Sequence, residues 1–204
     1  MVSTPGGSPS LKLEDRYSAY ASCHKDPVNR AIHVACIWPL LWTALALMTQ
    51  IPIGKLPHEV LEWLPLREEA WDLHLGAPVV LVYVIVYCVI DPVIGGLASL
   101  LVIACYATAN LWVADGGSIA LAAGLHVVGW AAQVYGHLVH EGKAPALVEN
   151  LFQALLSAPL FILCEIMLEL GYNPELHKRV QEKVGLESKE FEVADAVEKT
   201  AKKD

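Results

Sequence analysis

Eight histidines are many for a chain this apolar, and four of them fall at the ends of apolar runs. His24 and His33 flank the start of the first run, while His137 and His140 close a later one. On a helix, His137, His140 and Glu141 stand at i, i+3 and i+4, so one face presents two imidazoles and a carboxylate, with Gln133 one turn earlier. Imidazole with carboxylate is a ligand set for iron or zinc. A plainer reading competes at each position. A histidine near a membrane surface is usually a hydrogen-bonded or snorkelling side chain, and His58, His74 and His177 are read that way. His126, in mid-run, is either a ligand or a neutral donor packed between helices, the second being favoured. Glu141 competes with His140 for the inward face.

For His24 and His33 to meet His137, apolar segments must carry both parts of the chain to one face of a membrane. The composition supports this: of 204 residues, 55% are apolar and 18% charged, with a mean hydropathy of +0.44. Charge-free stretches run over 34–54, 75–90, 92–114 and 116–140, with a shorter one at 150–164. So many cannot hide inside one small soluble core, so an all-α, polytopic membrane bundle is expected. Four full spans are placed at 34–51, 77–90, 93–113 and 118–140. The helix expected over 146–170 holds Pro159 and Glu165. It is read as re-entrant or packed sideways in preference to a fifth crossing, which would put the tail on the other side.

Punctuation along the chain fits this outline. Asp26-Pro27 is a cap followed by a residue tolerated at the first helical position. Asp91-Pro92 and Asp115-Gly116-Gly117 mark turns, and Gly171 with Asn173-Pro174 ends the last apolar helix. Residues 52–77 mix Trp63 and Trp71 with acids and Arg67, as expected of an amphipathic segment at the interface. Three regions result: a disordered lead over 1–15, a membrane-embedded catalytic domain over 16–172 and a charged cytosolic tail over 173–204. The first sixteen residues lack the layout of a cleaved signal, so insertion is expected to use the first span. Lys12, Arg16, Lys25 and Arg30 place the N-terminal flank in the cytosol by the positive-inside rule.

The net charge of -8 does not mark a nucleic-acid protein, because seven of the fourteen Lys and Arg lie in the tail among acids. The five cysteines form no CxxC pair and are read as small core residues.

Two blocks of sequence, 20–39 and 129–172, resemble a family of membrane proteins. The marks are His24, Pro27, Asn29 and His33 in the first block. In the second they are Gln133, Gly136, His137, Glu141, Pro145-Ala146-Leu147, Ala158-Pro159, Phe161, Glu165 and Gly171-Tyr172. The family is that of iron(II)-dependent 2-hydroxy fatty acid dioxygenases of the endoplasmic reticulum, which act in fatty acid α-oxidation during phytosphingosine breakdown. Cys23, Asp26 and His140 depart from its usual residues, and the 52–77 insert is longer than in compact members.

The resemblance implies an Fe(II) cofactor held by His24, His33 and His137, with Glu141 as a further catalytic residue or ligand support. It implies a 2-hydroxy fatty acid and dioxygen as substrates, the acid chelating the metal through its carboxylate and hydroxyl and leaving one carbon shorter. Asn29 and Gln133 are read as donors that orient the imidazoles. Lys25 and Arg30 either meet the substrate carboxylate or serve only as topology charges. Val34, Trp38, Leu41, Val134 and Leu138 are candidate walls for the alkyl chain. Two rival readings stay open: a di-iron lipid hydroxylase, and a non-enzymatic scaffold or transporter whose polar path is lined by Glu165, His126 and Asp91.

Overall fold

The computed structural model describes residues 13–142 and 147–186, with side chains from 13–142 and 155–186. Most of the lead, Lys143, Pro145-Ala146 and the tail beyond 186 lie outside the described residues. The architecture is an all-α bundle with one small two-stranded sheet at its far end.

α1, Leu13–Cys23, is followed by α2, Pro27–Met48. Asp26 starts α2 as the residue types require: its side chain accepts hydrogen bonds from the Val28 N–H at 2.8 Å and the Asn29 N–H at 3.1 Å, and Pro27 occupies the first helical position, where a missing N–H is harmless. After the far-end segment come α4, Gly76–Ile90, and α5, Ile94–Ala114, joined as an adjacent pair through Asp91. Its carboxylate accepts from the Val93 and Ile94 N–H groups at 2.9 and 2.7 Å. Ser118 caps α6, Ile119–Tyr135, which continues into a π-helical turn over Gly136–Glu141.

Three of these helices are long and apolar enough to cross a membrane: Pro27–Met48, Ile94–Ala114 and Ile119–Glu141. The last is buried over only 17% of its apolar window. Leu121, Leu125, Val127 and Val128 face outward, which suits lipid and not water. α4 is shorter, 15 residues, about 22 Å at 1.5 Å per residue against a hydrocarbon core of ~30 Å. It too turns Leu81, Ile85 and Val89 outward.

Within the bundle, Leu45, Ala46, Ile94, Ala98 and Val102 form the shared interior. His126, in mid-span, takes the packing role. The Trp130 indole N–H donates to His126 Nε2 at 3.0 Å, and His126 Nδ1 pairs with Thr43 Oγ1 at 2.9 Å. Both ring nitrogens are thereby engaged between α2 and α6, and no ligand position is left.

The 52–77 segment folds into a cap. β1, Pro52–Gly54, pairs antiparallel with β2, Leu73–His74, around a single-turn α3, His58–Leu61, and a 3-10 turn, Glu68–Trp71. α5 fastens this cap: Asn110 Nδ2 donates to the Ala70 and Asp72 carbonyls at 3.1 and 3.0 Å, and the Tyr106 hydroxyl donates to the Asp72 carbonyl. Trp63 is left 88% exposed on it.

α7, Leu147–Glu169, runs unbroken through Pro159. The chain then bends by 114° into α8, Pro174–Leu186. Gly171 makes the bend at φ 84 and the Asn173 side chain caps α8 by accepting from the Leu176 N–H. A bent pair of this kind is either a broken span or a re-entrant loop. α8 occupies the first part of the stretch expected as a charged tail. It docks on the bundle through the buried Leu176 and Val180, and Arg179–Glu14 at 3.0 Å and Lys183–Asp15 at 2.5 Å tie it to α1.

Candidate metal centre

Two antiparallel helix ends and one loop build the site. His33 lies two turns into α2, His24 lies in the short link before it, and His137 lies in the π-helical turn that ends α6. Close approach of α2 to that turn depends on Gly136: a Cβ there would run into Asn29 Oδ1 on α2. A π-turn widens the helix by one residue and is frequent at functional sites. Gly142, at φ 65, closes it.

The three rings meet. Centroids are 4.6 Å apart for His24 and His33, and 4.9 Å for each of these with His137. The rings lie edge to face, at 78°, 72° and 86° to one another. One ligand nitrogen from each lies within 4.8 Å of the other two.

Backbone carbonyls fix two of the tautomers. His24 Nδ1 is 2.8 Å from the Tyr20 carbonyl, and His33 Nδ1 is 2.9 Å from the Asn29 carbonyl. A carbonyl only accepts, so each Nδ1 carries the proton and each Nε2 offers its lone pair, the arrangement found in histidine metal ligands. Tyr20 also stacks on His24, with centroids 4.0 Å apart. Burial first, then the neighbouring His33, push His24 down to about 3, so its imidazole is neutral and ready to ligate near pH 7. Three convergent neutral imidazoles fit a first-row divalent ion.

The remaining site residues hold the frame. Glu141 is not among the groups whose ligand atoms converge. Its Oε1 accepts from the Asp26 N–H at 2.9 Å and Asn29 Nδ2 at 3.1 Å, pinning the end of α6 to the link that carries His24 and to α2. Asn29, fully buried, orients His33 through its own carbonyl. Gln133 Nε2 reaches the Ile32 carbonyl at 3.5 Å and no imidazole. His140 turns toward Asp26, 3.6 Å away. Arg30 is committed to α7, with Nε 2.5 Å from Glu165 and a terminal nitrogen 2.6 Å from Glu169. Lys25 is exposed at the rim of a cavity beside His24.

Sequence reasoning missed what stands behind His24. Tyr17, Tyr20 and Glu165 line a cavity of about 220 Å³ with His24 and Arg30. The available signals were weak: Tyr20 stands one turn before His24, and Glu165 is the carboxylate within the apolar stretch 151–168 of α7.

The chain is 28% identical over 173 residues to the 2-hydroxy-palmitic acid dioxygenase MPO1 of Saccharomyces cerevisiae, covering 83% of this chain and 88% of that protein. No solved structure matches. Residues 10–170 match the family described as 2-hydroxy-palmitic acid dioxygenase Mpo1-like, and the chain therefore belongs to the Mpo1-like family.

Proposed function

We propose that this protein is an Fe(II)-dependent dioxygenase that shortens 2-hydroxy fatty acids by one carbon, the oxidative step of fatty acid α-oxidation in phytosphingosine degradation. The observation that carries the reading is the convergence of His24, His33 and His137 at the membrane end of a chain of this family. Its proposed setting is the endoplasmic reticulum membrane, with the site at the cytosolic face, beside the basic flank that holds Lys25 and Arg30.

His24, His33 and His137 would hold a ferrous ion, which when bound would supply Lewis-acid and oxygen-activating chemistry beside the substrate's C1–C2 bond. The protein's part is to hold the imidazoles still. The Tyr20 and Asn29 carbonyls fix two rings, and Glu141 fixes the spacing between the elements that carry them. With dioxygen the only oxidant, the atoms close as one shortened acid, one carbon dioxide and one water. The apolar outer faces of α2 and α6, with Val34, Val134 and Leu138 exposed, leave the alkyl chain in hydrocarbon. Each methylene kept out of water is worth about 0.8 kcal/mol.

One His cluster of ligand geometry occurs among the described residues, which supports a mononuclear site over a di-iron one. The transporter reading is disfavoured because two of its three polar residues are committed within the fold, His126 to Thr43 and Trp130 and Asp91 to the α5 cap, while Glu165 is held on one oxygen by Arg30.

The test is anaerobic purification in detergent with metal analysis, then oxygen addition to 2-hydroxypalmitate. Near one iron per chain and a C15 acid are expected. His24→Ala, His33→Ala and His137→Ala should each abolish both while still inserting in the membrane. Full activity in these variants would overturn the reading.

A further inference from the structure

We propose that the cap between α2 and α4 is seated in the membrane leaflet opposite the metal centre, where it takes over from α4 and presents Ile53, Trp63 and Leu66, with Ile51 at its edge, to lipid. α2 carries His33 near its start and Leu45 near its end, and the cap follows that end. α4 and α5 are held in register beside it. A Cβ on Gly95 would strike the Tyr87 carbonyl, and one on Gly76 would press on Tyr106 and on Leu45 of α2. α4 begins at Gly76, so it gives α5 no neighbour beyond the level of Tyr106. α5 runs on to Ala114, roughly 12 Å further. A helix crossing ~30 Å of hydrocarbon carries that last stretch through the far leaflet.

The cap fills the space that α4 leaves. Its contacts climb α5 in order: the Asp72 carbonyl accepts from the Tyr106 hydroxyl, the Ala70 and Asp72 carbonyls accept from Asn110 Nδ2, and Arg67 meets Asp115, just past the helix end, at 2.7 Å. Irregular backbone at membrane depth is tolerated only where protein satisfies it. α5 places a buried tyrosine and a buried asparagine where the cap has carbonyls to satisfy. At the cap's other end the Leu75 N–H donates to the Ile51 carbonyl at 2.9 Å, which sets Ile51 level with the first turn of α4.

The outer surface of the cap suits the boundary between hydrocarbon and headgroups. Ile51, Ile53 and Leu66 are each more than half exposed, and Trp63 more so. Lys55, Glu59 and Glu62 stand exposed among them. Long charged side chains reach from such a layer to water, and tryptophan is enriched in it. α4, whose path the cap continues, already turns Leu81, Ile85 and Val89 outward. Leu66 adds a second mark. It sits at φ 74, a conformation that strains a bulky residue. The Trp71 indole N–H on the Pro65 carbonyl at 2.6 Å and the Arg67–Asp115 pair hold the chain there. Strain that turns a leucine outward is matched by a gain only where an apolar phase receives it.

The experiment places the full chain in phosphatidylcholine nanodiscs, which leave both membrane faces open to water. The fluorescence of wild type minus that of Trp63→Phe isolates Trp63, an exposed residue whose replacement leaves the fold intact. Lipid brominated on the acyl chain near the headgroup should remove most of that component, and iodide in the water should leave most of it. As a second readout, a membrane-impermeant maleimide, scored peptide by peptide, should label Glu59→Cys and spare Ile53→Cys on the same cap. A Trp63 component that iodide quenches and bromolipid leaves puts the cap in water and overturns the proposal. So does equal labelling of the two cysteine variants. A component shielded from both quenchers also overturns it, because protein and not lipid then covers the cap. Oxygenase activity enters none of these readouts, so the outcome stands apart from the reaction proposed above.

Discussion

The Tyr83 hydroxyl donates to the Leu155 carbonyl at 3.1 Å, the same carbonyl that Pro159, four residues on, leaves without its helical donor. One turn along α4, Tyr87 donates to the Leu156 carbonyl at 2.9 Å. The Tyr83 phenol thus replaces the donor that a proline removes at membrane depth, Tyr87 adds a bond to the neighbouring carbonyl, and α7 continues to Glu165. Tyr83→Phe and Tyr87→Phe should each destabilise the protein by ~1–3 kcal/mol. The double variant should lose less than the sum if Pro159→Ala is present, since the helix then supplies its own donor. Thermal unfolding in detergent of the single, double and triple variants checks this.

Glu141 supplies a second contrast. If its work is to accept from the Asp26 N–H and Asn29 Nδ2, Glu141→Gln, which keeps the accepting oxygen, should retain metal and activity within a few-fold. Glu141→Ala strands two buried donors and should lose ~1–3 kcal/mol together with most of the bound metal. Equal loss of metal in both variants would instead make Glu141 a ligand.

Stability in metal-free protein should fall with acid through His24. Its pKa is lowered on folding, from an ordinary 6.5 to about 3, so the unfolded chain binds the extra proton between those values. The stabilisation is complete above about pH 6.5 and is lost progressively as the pH falls toward 3. Denaturant titrations from pH 8 to 4 should show that slope, and His24→Gln should make it shallower.

Gly136→Ala tests the approach of α2 to α6. The added methyl meets the Asn29 side chain at Oδ1, so Asn29 must shift, disturbing its bond to Glu141 and the packing that holds His33 beside His137. Metal affinity should drop by at least ~10-fold, the range seen when supporting contacts of metal ligands are lost, while secondary structure by circular dichroism stays the same.

Much of this was legible because the signals are local. Asp26-Pro27, Asp91-Pro92, Ser118 and Gly171 punctuate the helices by rules that involve only near neighbours. His24, His33 and His137 stood out through their positions at the ends of apolar runs, and the family resemblance joined them. The π-turn did not show, because the close packing of Gly136 against Asn29 joins residues of two distant helices. The cavity did not show either, since α1, α2, α7 and α8 each contribute a wall. The docking of α8 rests on Arg179 meeting Glu14 and Lys183 meeting Asp15, pairings that join opposite ends of the chain. A charged sequence alone reads as solvated.

That clasp also orders events during biosynthesis. α1 delivers His24 but is braced by α8, which follows it far down the chain. The nascent chain therefore exposes its first imidazole long before the brace exists, and His24 gains that support only once α8 has been made.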